Sequence, residues 1–428
     1  MTKIKTIAIL GTGFGGLRAA KILARNIHNF NFSSKYEILL IDKNSHQTYT
    51  PLLYEVATTS KGAASLCDLH GIATYNIKNL LTRSCVRFVQ KEIADIDPAS
   101  GTITFTDGER AMCEYIVLAL GSEANFFNIP GLREHALPLK TFTDAIKIRD
   151  AFWNIAMEKP GEIRIVIGGG GSTGVELAAE FKNLCGQIET EFEGCKLIVT
   201  VVESSDSVLQ GFDNRIVEAA TRQLKKLGVI ITTGKKISSV DRNRAAFDNG
   251  GTIDFDVFVW TGGVKGPAIL ANTQIQLENQ NRAIVGSGME CLSRNSNSTF
   301  ASRVYGLGDN ICFYNSKTKR PVPGIARAVI SQADIVAWNI TEEIRAAEHA
   351  NHRPRFREYK PVEYPYVIPV GGKFAVAKIG PIILKGVSGW IFKGLVELSY
   401  LLSIMPTLEA LRIWFKGLSI FMRNEKLG

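Results

Sequence analysis

Two segments of the chain repeat one pattern of hydrophobic and polar positions: a short apolar run, a cluster of glycines and a helical stretch. The first is KTIAILGTGFGGLRAAKIL, with its apolar run at residues 6–10 and helical spacing at residues 17–23. The second, IRIVIGGGGSTGVELAAEF, begins at Ile163. A short apolar run bounded by glycine predicts a buried strand, and apolar residues three or four apart predict a helix. The chain is therefore expected to contain two similar α/β domains.

Both glycine clusters carry the spacing G-x-G-x-x-G, at Gly11, Gly13 and Gly16 and again at Gly169, Gly171 and Gly174. Glycine is needed there because the backbone turns sharply, approaches a pyrophosphate and meets the helix. A second apolar strand follows each cluster and ends in an acid, Asp42 or Glu203, which suits a ribose hydroxyl. These features predict two Rossmann-like dinucleotide-binding domains. Because no arginine follows Glu203 at once, the second domain is expected to favour NADH over NADPH.

Two further short strands indicate which domain takes which nucleotide. The segment SRVYGLGDN, residues 302–310, ends in Gly306, Gly308 and Asp309. In flavoproteins with two dinucleotide domains, such a strand returns to the first domain, and its aspartate contacts the ribityl chain and pyrophosphate of the flavin. The segment YIVLALGS, residues 115–122, is similar to the strand that joins the two domains, with Leu120 where threonine is usual. The first domain is therefore expected to bind FAD and the second NADH.

The C-terminal region carries two amphipathic helical patterns, at residues 382–402 and 407–422. Apolar side chains recur at helical spacing at Ile383, Val387, Ile391, Leu395, Leu398 and Leu402, and then at Leu408, Leu411, Phe415, Leu418 and Met422. Interleaved with them are Lys385, Lys393, Arg412, Lys416, Arg423 and Lys426, together with Trp390, Tyr400 and Trp414. Such a stripe suits a helix lying in the headgroup region of anionic lipid. The residues alone leave open that both helices cap the soluble domains or form a dimer face.

Composition narrows these choices only a little. The chain has 428 residues, of which 45% are hydrophobic and 21% charged, and a net charge of +9. That charge fits an anionic nucleotide, a membrane surface or nucleic acid without choosing among them, but no nucleic-acid-binding module is evident. The seven cysteines lack close spacing, which predicts reduced, intracellular thiols and no metal site. No signal peptide and no uncharged apolar window of about 18 residues is evident, so no membrane-spanning helix is expected.

Together these segments resemble the type II NADH:quinone oxidoreductases, single-chain respiratory dehydrogenases that pump no protons. The resemblance rests on GTGFGGLRAA, YTPLLYEVAT, GGGGSTGVELAAE, VWTGGVK and VYGLGDN, and it runs over nearly the whole chain. It implies that hydride passes from NADH to FAD and that two electrons then pass to a membrane quinone. It also implies a peripheral, monotopic protein on the cytoplasmic side of the cell membrane, and it leaves a homodimer open.

The resemblance assigns residues to each cofactor. Those implied for FAD are Gly11, Gly13, Gly15, Gly16, Asp42, Lys43, Pro51, Leu52, Ile93, Ala119, Gly121, Gly308, Asp309 and Ala326. Those implied for NADH are Gly169, Gly171, Ser172, Thr173, Gly174, Glu176, Glu203 and Gly262. The implied domains are FAD-binding at residues 1–145 and 269–340, NADH-binding at 146–268, and a C-terminal region at 341–428 with membrane-docking helices at about 382–422.

Glu176 is the candidate catalytic residue. An acid near the start of a helix is favoured by the helix dipole, by about 0.3–1 kcal/mol at exposed sites, so its position alone needs no function. The phosphates need only the loop amides, however, and Glu176 lies just beyond them toward the expected nicotinamide. The resemblance implies that its carboxylate bonds the carboxamide and fixes the nicotinamide ring over the flavin.

The quinone half departs from the family pattern. Members usually carry two glutamines after the Gly–Asp strand, but here Arg327 and Ser331 occupy those positions, and Gln332 is a shifted substitute. Arg327 and Gln332 are therefore the candidate quinone contacts. Two other functions remain open at this point. One is a soluble flavoprotein reductase that uses oxygen, peroxide or a small redox protein, for which Cys67 is a lone candidate thiol. The other is a non-enzymatic NADH-sensing flavoprotein.

Overall fold

The computed structural model describes residues 4–158, 161–191, 196–294, 303–315, 321–322 and 324–424. The chain divides into two compact units. The first unit comprises Met1–Gln47, Tyr75–Glu123 and Val264–Glu363. The second unit comprises Thr48–Thr74, Ala124–Gly263 and Tyr364–Gly428. Residues 48–74 and the C-terminal region thus group with the segment that carries the second glycine loop. This division describes packing and does not assign a cofactor to either unit.

The first unit is built on a five-stranded parallel sheet. Its strands lie in the order Val304–Gly306, Tyr115–Leu118, Lys5–Leu10, Tyr36–Asp42 and Val86–Gln90. The central strand Lys5–Leu10 is almost wholly buried, as its unbroken apolar run predicts. The chain first adds strands on one side of this strand and later on the other. Its carboxyl end is therefore the topological switch point, where open α/β sheets bind ligands.

The remaining elements of the first unit cover and extend this sheet. The helices are Phe14–Asn29, Ile77–Leu81 and Ala326–Glu348, with short 3-10 turns at Ala268–Asn272 and Gly308–Asn310. A three-stranded antiparallel sheet contains Ile93–Asp97, Thr102–Phe105 and Arg110–Met112, and a parallel pair contains Ala283–Ile284 and Ile311–Cys312. The first and last helices pack together and are joined by Arg18, whose guanidinium donates to both carboxylate oxygens of Asp334 at 2.8 and 3.1 Å.

The second unit repeats the arrangement of the first. Its parallel sheet has the order Leu137–Pro138, Val257–Trp260, Glu162–Gly168, Lys196–Val202 and Ile230–Thr232. Its three-stranded antiparallel sheet contains Ile237–Val240, Arg244–Phe247 and Thr252–Asp254. Its helices before the C-terminal region are Leu53–Thr58, Leu66–Ala73, Leu132–His135, Phe142–Glu158, Ser172–Glu191 and Asn214–Lys226, and a 3-10 turn spans Thr50–Leu52. This repetition confirms the predicted fold class of two Rossmann-like domains.

Three short strands contain a boundary between the two units: His46–Thr48, Thr74–Asn76 and Glu123–Ala124. The strand Val264–Lys265 begins the last segment of the first unit.

Within the second unit, the segment that follows Leu53–Thr58 is fixed by Arg149. This buried guanidinium donates to the carbonyl oxygens of Thr59, Ser60 and Ala64 at 2.7–3.0 Å. A buried charge that satisfies three backbone acceptors holds that segment in one conformation.

The C-terminal region corrects one prediction. It forms an antiparallel sheet of Tyr366–Pro369, Ala375–Ile379 and Ile382–Gly386, and only then two helices, Val387–Ile404 and Thr407–Asn424, called here the first and second tail helix. The first tail helix thus begins at Val387 rather than near residue 382. The strand is possible because Gly380 and Gly386 adopt φ of +56° and +72°, which turn the chain into and out of the hairpin.

The tail helices turn their apolar stripe outward. Val387, Ile391, Leu395, Leu402, Leu408, Phe415 and Met422 are all exposed. By length and composition, the first tail helix is also long and apolar enough to cross a membrane, but Lys393 and Glu397 interrupt its apolar run. Both of those charged side chains are largely buried within the second unit.

Candidate dinucleotide and charge-cluster sites

The first glycine loop has the steric features of a pyrophosphate cradle. Gly11 adopts φ of +107°, and a Cβ there would lie 2.2 Å from the carbonyl oxygen of Ala119. A Cβ on Gly16 would lie 1.9 Å from the carbonyl oxygen of Gly11, so only glycine lets the helix start so close to the strand. Gly13, by contrast, faces open space, where a phosphate can approach the backbone. Gly15 is closed off by Leu307 and therefore serves packing.

Asp42 lies beside this loop, at the end of the neighbouring strand. One carboxylate oxygen accepts hydrogen bonds from the Thr12 amide and hydroxyl at 2.9 and 2.7 Å, and the other accepts from Asn44. The acid predicted to hold a ribose therefore also fixes the turn. Lys43 is exposed and pairs with Glu92 at 3.1 Å. Ile93 is half-buried at the start of its strand.

The Gly–Asp loop is held to the same sheet edge by the side-chain amides of Asn310 and Gln332. Asn310 was not singled out from the sequence, and Gln332 was predicted only as a quinone contact. Fully buried Asn310 accepts from the Gly121 N–H at 3.2 Å and donates to the Leu118 carbonyl. Buried Gln332 accepts from the Gly308 N–H at 2.9 Å. That bond holds the Gln332 oxygen inside the unit, so Gln332 supports the loop. Its predicted contact with quinone stays a prediction. Asp309 accepts from the Ser122 hydroxyl at 3.0 Å.

The other predicted flavin and quinone residues are more scattered. Ala119 is buried beside the glycine loop, and Ala326 and Arg327 are exposed at the first turn of the helix Ala326–Glu348. Pro51 and Leu52 belong to the second unit, where Pro51 is exposed and Leu52 is buried. Their roles toward FAD and quinone stay predictions.

Gln47 is a further residue that the sequence analysis did not single out. It is buried, and neither atom of its side-chain amide finds a hydrogen-bond partner in the described part of the chain. Buried amides are nearly always paired, so a partner from outside the chain is expected. Gln47 follows Asp42 by five residues, on the segment leaving the ligand-binding edge of the sheet. A dinucleotide at that edge fits both this amide and the glycine cradle.

The second glycine loop repeats the steric features of the first. Gly169 adopts φ of +110°, and a Cβ there would lie 2.6 Å from the backbone of Gly262. A Cβ on Gly174 would lie 2.0 Å from the carbonyl oxygen of Gly169, whereas Gly171 faces open space. Ser172 and Thr173 form the first turn of the helix, where backbone N–H groups are available to an anion. The predicted loop residues are thus brought together at the start of this helix, with open space beside Gly171.

Glu203 lies directly beside this loop. Its carboxylate accepts from the Gly170 N–H at 2.7 Å, the Ser205 N–H at 2.8 Å and the Ser204 hydroxyl at 3.1 Å. Burial opposes ionisation, but these hydrogen bonds outweigh it and lower the pKa of Glu203 below its usual value. The residue is therefore a fixed negative charge at neutral pH.

A cavity of about 650 Å³ opens next to Glu203, within the second unit. Its wall includes Gly169, Gly262 and Lys235, and the aromatic residues Phe127 and Trp260, whose rings meet edge to face. An adenosine half fits such a site, since one face is aromatic and the phosphate loop and a carboxylate are adjacent. The carboxylate and the glycines were predicted from the sequence. The aromatic residues Phe127 and Trp260 were not, because they come from distant parts of the chain.

Glu176 belongs to a cluster of charges inside the second unit. Burial raises the pKa of the Glu176 carboxyl to about 8; Lys393 opposes the rise, and Glu55 and Glu180 add to it. Glu55 lies on the helix Leu53–Thr58, and Lys393 lies on the first tail helix. The cluster therefore connects the helix of the second glycine loop to the C-terminal region.

Lys393 and Glu55 form a buried ion pair at the centre of this cluster. Burial disfavours the ammonium of Lys393, but Glu55 and Glu397 outweigh that effect and raise its pKa. Burial raises the pKa of Glu397 to about 7, against the pull of Lys393. The prediction that Lys393 faces lipid headgroups is thus wrong, because its charge is needed inside. Lys416 pairs instead with Asp68 at 2.8 Å, and Lys426 lies outside the described residues.

The predicted interfacial aromatics also pack inward. Tyr400 stacks on Tyr49 with ring centroids 5.1 Å apart, and the Trp414 N–H donates to the Gly394 carbonyl at 2.9 Å. These contacts fasten the tail helices to each other and to the segment 48–74. Of the aromatic residues predicted for the interface, Trp390 alone is left without such a described contact, and it is half-buried.

The sequence model of the pyridine nucleotide-disulphide oxidoreductases matches residues 5–333 of the chain. The chain belongs to this family. Membership agrees with the paired glycine loops, since the matched region spans both of them.

Relatives of this pyridine nucleotide-disulphide oxidoreductase confirm the predicted resemblance. The type II NADH:quinone oxidoreductase Ndh of Mycobacterium tuberculosis is 26% identical, over 95% of this chain and 87% of the relative. The external alternative NAD(P)H-ubiquinone oxidoreductase B2 of Arabidopsis thaliana, a mitochondrial protein, is 28% identical over 78% of this chain. The chain covers only 58% of that plant relative's length.

A solved structure supports the fold of this oxidoreductase over its full length. The structure of NDH2 from Plasmodium falciparum in complex with NADH matches with a TM-score of 0.76, covering 100% of this chain and 99% of the other. The two sequences are 17% identical, so this likeness establishes the shared fold.

Replacing Glu397 by glutamine should flatten the pH dependence of this oxidoreductase's stability. Folding raises the pKa of Glu397 from 4.5 to about 7, so the folded chain binds more protons than the unfolded chain in that window. The free energy of unfolding contributed by this group therefore falls as pH rises from 4.5 to 7. Urea denaturation at pH 5 and pH 7.5 should show a smaller loss of unfolding free energy between the two pH values for Glu397→Gln than for the wild type.

The control is Glu409→Gln, at an exposed site on the second tail helix, which should lose as much unfolding free energy as the wild type. Equal losses of unfolding free energy in all three proteins would contradict the raised pKa of Glu397.

Proposed function

We propose that this protein is an FAD-dependent NADH:quinone oxidoreductase that passes electrons to a membrane quinone without moving ions. The observation that carries the proposal is the charge cluster that joins Glu176, on the helix of the second glycine loop, to Lys393 on the first tail helix. It couples the predicted nicotinamide position to the helices with an outward apolar stripe. The names of the relatives support the same donor and acceptor classes.

For FAD, the chain offers the first glycine loop, Asp42 and the loop of Gly308 and Asp309. The open space at Gly13 receives the pyrophosphate, Asp42 takes a ribose, and Gln47 supplies an unpaired amide that a dinucleotide can satisfy. When bound, FAD supplies the two-electron chemistry that accepts hydride from NADH and reduces a quinone. The protein contributes the fixed geometry of the loop, which Asn310 and Gln332 maintain.

For NADH, the chain offers the second loop and the adjacent cavity. The amides of residues 171–174 bind the pyrophosphate at the helix start, and Glu203 binds the adenine ribose. Glu176 follows two residues beyond Gly174 and positions the nicotinamide carboxamide. With its pKa near 8, the Glu176 carboxyl is largely protonated at neutral pH and can donate a hydrogen bond to that carboxamide's oxygen.

The acceptor is an apolar quinone that arrives from a membrane. The tail helices bury charged Lys393 and Glu397 and expose Ile391 and Leu395, the reverse of a helix that packs on a soluble core. That arrangement supports a peripheral protein whose apolar stripe enters the headgroup region. The cytoplasmic side of the cell membrane is what the resemblance to the type II enzymes implies. Protonated Glu176 and Glu397 can then supply protons near the apolar surface as quinone becomes quinol. Arg327, exposed and cationic, stays a candidate for a quinone carbonyl beside Gln332.

The acceptor proposal is tested by NADH oxidation with the purified holoprotein. The protein is mixed with vesicles of anionic lipid that contain a long-tailed ubiquinone or menaquinone, and quinol formation is followed beside loss of NADH absorbance. We expect one quinol for each NADH and little oxidation in vesicles without quinone. Oxidation at the same rate in quinone-free, aerated buffer would favour the soluble flavoprotein reductase. FAD and NADH binding without turnover on any acceptor would favour the NADH-sensing alternative.

Glu176→Ala should impair the use of NADH more than the retention of FAD. Removing the carboxyl takes away a contact to the nicotinamide end, so we expect kcat/KM for NADH to fall by roughly tenfold or more. The flavin absorbance of the purified variant should match that of the wild type. The control Glu218→Ala removes an exposed carboxylate from another helix of the second unit and should change neither value. A loss of FAD in proportion to the loss of kcat/KM would refute the assigned role.

Ile391→Glu and Leu395→Glu should weaken membrane docking. Each wild-type side chain adds apolar area to the outward stripe, and burying one stabilises docking by about 1.5–3 kcal/mol. Cosedimentation with anionic vesicles should therefore weaken by roughly tenfold or more for each substitution. Point variants are preferable to truncation because Ile420 of the second tail helix belongs to the core.

The matched control is Ile230→Glu, which places the same charge at an exposed apolar site of the second unit far along the chain from the tail. It should bind vesicles as the wild type does. Each tail variant should still oxidise NADH with a short, water-soluble quinone analogue. If the double variant sediments with vesicles as fully as the wild type, the stripe is not the docking surface.

A further inference from the structure

We infer that residues 352–360, called here the basic strap, form an unpaired strand edge that binds an acidic, extended segment of a partner protein. The basic strap belongs to the first unit and follows the helix Ala326–Glu348. Its cationic side chains are Arg353, Arg355, Arg357 and Lys360, and its one carboxylate is Glu358. This surface lies outside the proposed electron transfer, and the inference does not depend on that function.

Two buried side chains and an indole hold the basic strap against that helix. The Arg355 N–H donates to the Glu342 carboxylate at 2.8 Å, and the Arg355 carbonyl accepts from the Trp338 indole N–H at 2.7 Å. Two residues on, the Arg357 N–H donates to the Asn339 side-chain oxygen at 2.8 Å, and the Arg357 carbonyl accepts from the same amide at 2.9 Å. Glu342 and Asn339 are both 1% exposed. Because buried polar groups are costly to leave unpaired, these bonds hold the basic strap in one conformation although it has no regular secondary structure.

The inward bonds recur at every second residue of the basic strap. After those of residues 355 and 357, the Tyr359 N–H donates to the Ser287 carbonyl at 2.7 Å. A period of two is that of an extended strand, in which neighbouring residues point their N–H and C=O groups to opposite sides. The backbone groups of Phe356 and Glu358 therefore point away from the helix. Within the described ranges of the chain they make no hydrogen bond, so they form the open edge of a strand.

The side chains of the basic strap alternate between two faces. Arg353, Arg355 and Arg357 share one face, spaced about 6.5–7 Å apart along the strand. The Arg357 guanidinium lies 3.8 Å from the centroid of the Trp338 ring. Arg353 and Arg355 are exposed and make no side-chain hydrogen bond or ion pair with the residues that the structure describes. They are therefore available to carboxylates of another chain.

The opposite face of the basic strap is apolar at its centre, where the Phe356 side chain is 55% exposed. Side chains directly opposite each other on paired strands interact, and pairs of opposite charge or of an aromatic with a β-branched residue are favourable. A strand added to this edge would place acids opposite the arginines and apolar side chains opposite Phe356. The expected ligand is therefore an extended segment in which acidic and apolar residues alternate.

Other occupants fit this edge less well. In a pair formed by two copies of the chain, arginines would lie opposite arginines, and like charges directly opposite are destabilising. The arginines, together with Pro354, which lacks an N–H, thus guard the edge against self-pairing. A lipid surface or a nucleic acid neutralises arginine but offers no ladder of peptide groups to Phe356 and Glu358. An acidic strand satisfies both the charges and the backbone.

The test uses the full-length holoprotein and a fluorescein-labelled peptide of alternating glutamate and valine. Its binding is followed by fluorescence anisotropy at low ionic strength, and we expect saturation with a Kd below about 1 mM. The matched peptide has the same sequence with its backbone nitrogens methylated, so it keeps every charge and loses every backbone donor. It should bind at least about tenfold more weakly, because it cannot complete a strand ladder. A peptide of alternating lysine and valine should not bind.

Hydrogen exchange of the basic strap, resolved residue by residue by mass spectrometry, gives a second readout. The amides of Arg355 and Arg357 already donate inside the protein, whereas those of Phe356 and Glu358 are open. The glutamate peptide should therefore slow exchange at Phe356 and Glu358 and leave the two arginine amides unchanged. A ligand held by charge alone would slow none of the four.

Replacing Arg353 and Arg355 together by glutamine should weaken the glutamate peptide by roughly fivefold, because two cross-strand charge pairs are lost. These substitutions leave the backbone bonds of the basic strap in place, so the rate of NADH oxidation should not change. The matched control combines Lys225→Gln with Lys226→Gln, which removes two exposed charges from the second unit. It should bind the peptide as the wild type does.

Equal binding of the methylated and unmethylated peptides would overturn the inference, since the basic strap would then be only a charged surface. So would the absence of saturation up to about 1 mM peptide. The wild type and the double arginine variant are also compared for cosedimentation with anionic vesicles, binding of single-stranded RNA and self-association. A loss of any of these in the variant, with peptide that leaves exchange at Phe356 and Glu358 unchanged, would assign the edge to that occupant and exclude the acidic strand.

Discussion

The ion pair between Lys393 and Glu55 is the constraint on which the C-terminal region depends. A buried charge without its partner is strongly destabilising, so the first tail helix is held in the one rotation that places Lys393 against the helix Leu53–Thr58. That rotation turns Val387, Ile391 and Leu395 outward. The exposed stripe is therefore a consequence of satisfying charges inside. An exposed apolar surface of this size marks an interaction site, which the proposed docking to a membrane would cover.

The two glycine loops follow a different constraint, which is steric and local. At Gly11 and Gly169 a side chain would collide with the backbone of the neighbouring strand's end, and at Gly16 and Gly174 with the loop's own first carbonyl. Only glycine satisfies these contacts, so the loops could be recognised from sequence spacing alone. The flanking strands were equally predictable, because parallel strands buried on both faces read as unbroken apolar runs. Hence the sheets agree with the sequence analysis, whereas the nucleotide contacts of the loop residues stay predictions.

What the sequence could not supply are partners that meet only after folding. Glu55 and Lys393 are separated by 338 residues, and nothing in either neighbourhood signals the other. Lys393 reads as an ordinary basic residue on an amphipathic helix until Glu55 is placed. The hydrogen bond from the Gly308 N–H to the Gln332 oxygen likewise cannot be read from the sequence. The start of the first tail helix was predicted wrongly for a local reason. Residues 382–386 fit a helical stripe and a strand equally well, and their pairing in the hairpin decided between the two.

The charge cluster also explains why a carboxyl group can follow a phosphate loop. Glu176 would repel the anionic nucleotide if it were ionised, but burial keeps its pKa near 8, so at neutral pH the group is mainly neutral. Lys393 limits how far burial raises that pKa, and Glu55 and Glu180 add to the rise. The tail helix thus contributes to the protonation state of a residue on the nucleotide-loop helix. A change in how the tail is held would alter the charge environment of Lys393, and with it the protonation state of Glu176.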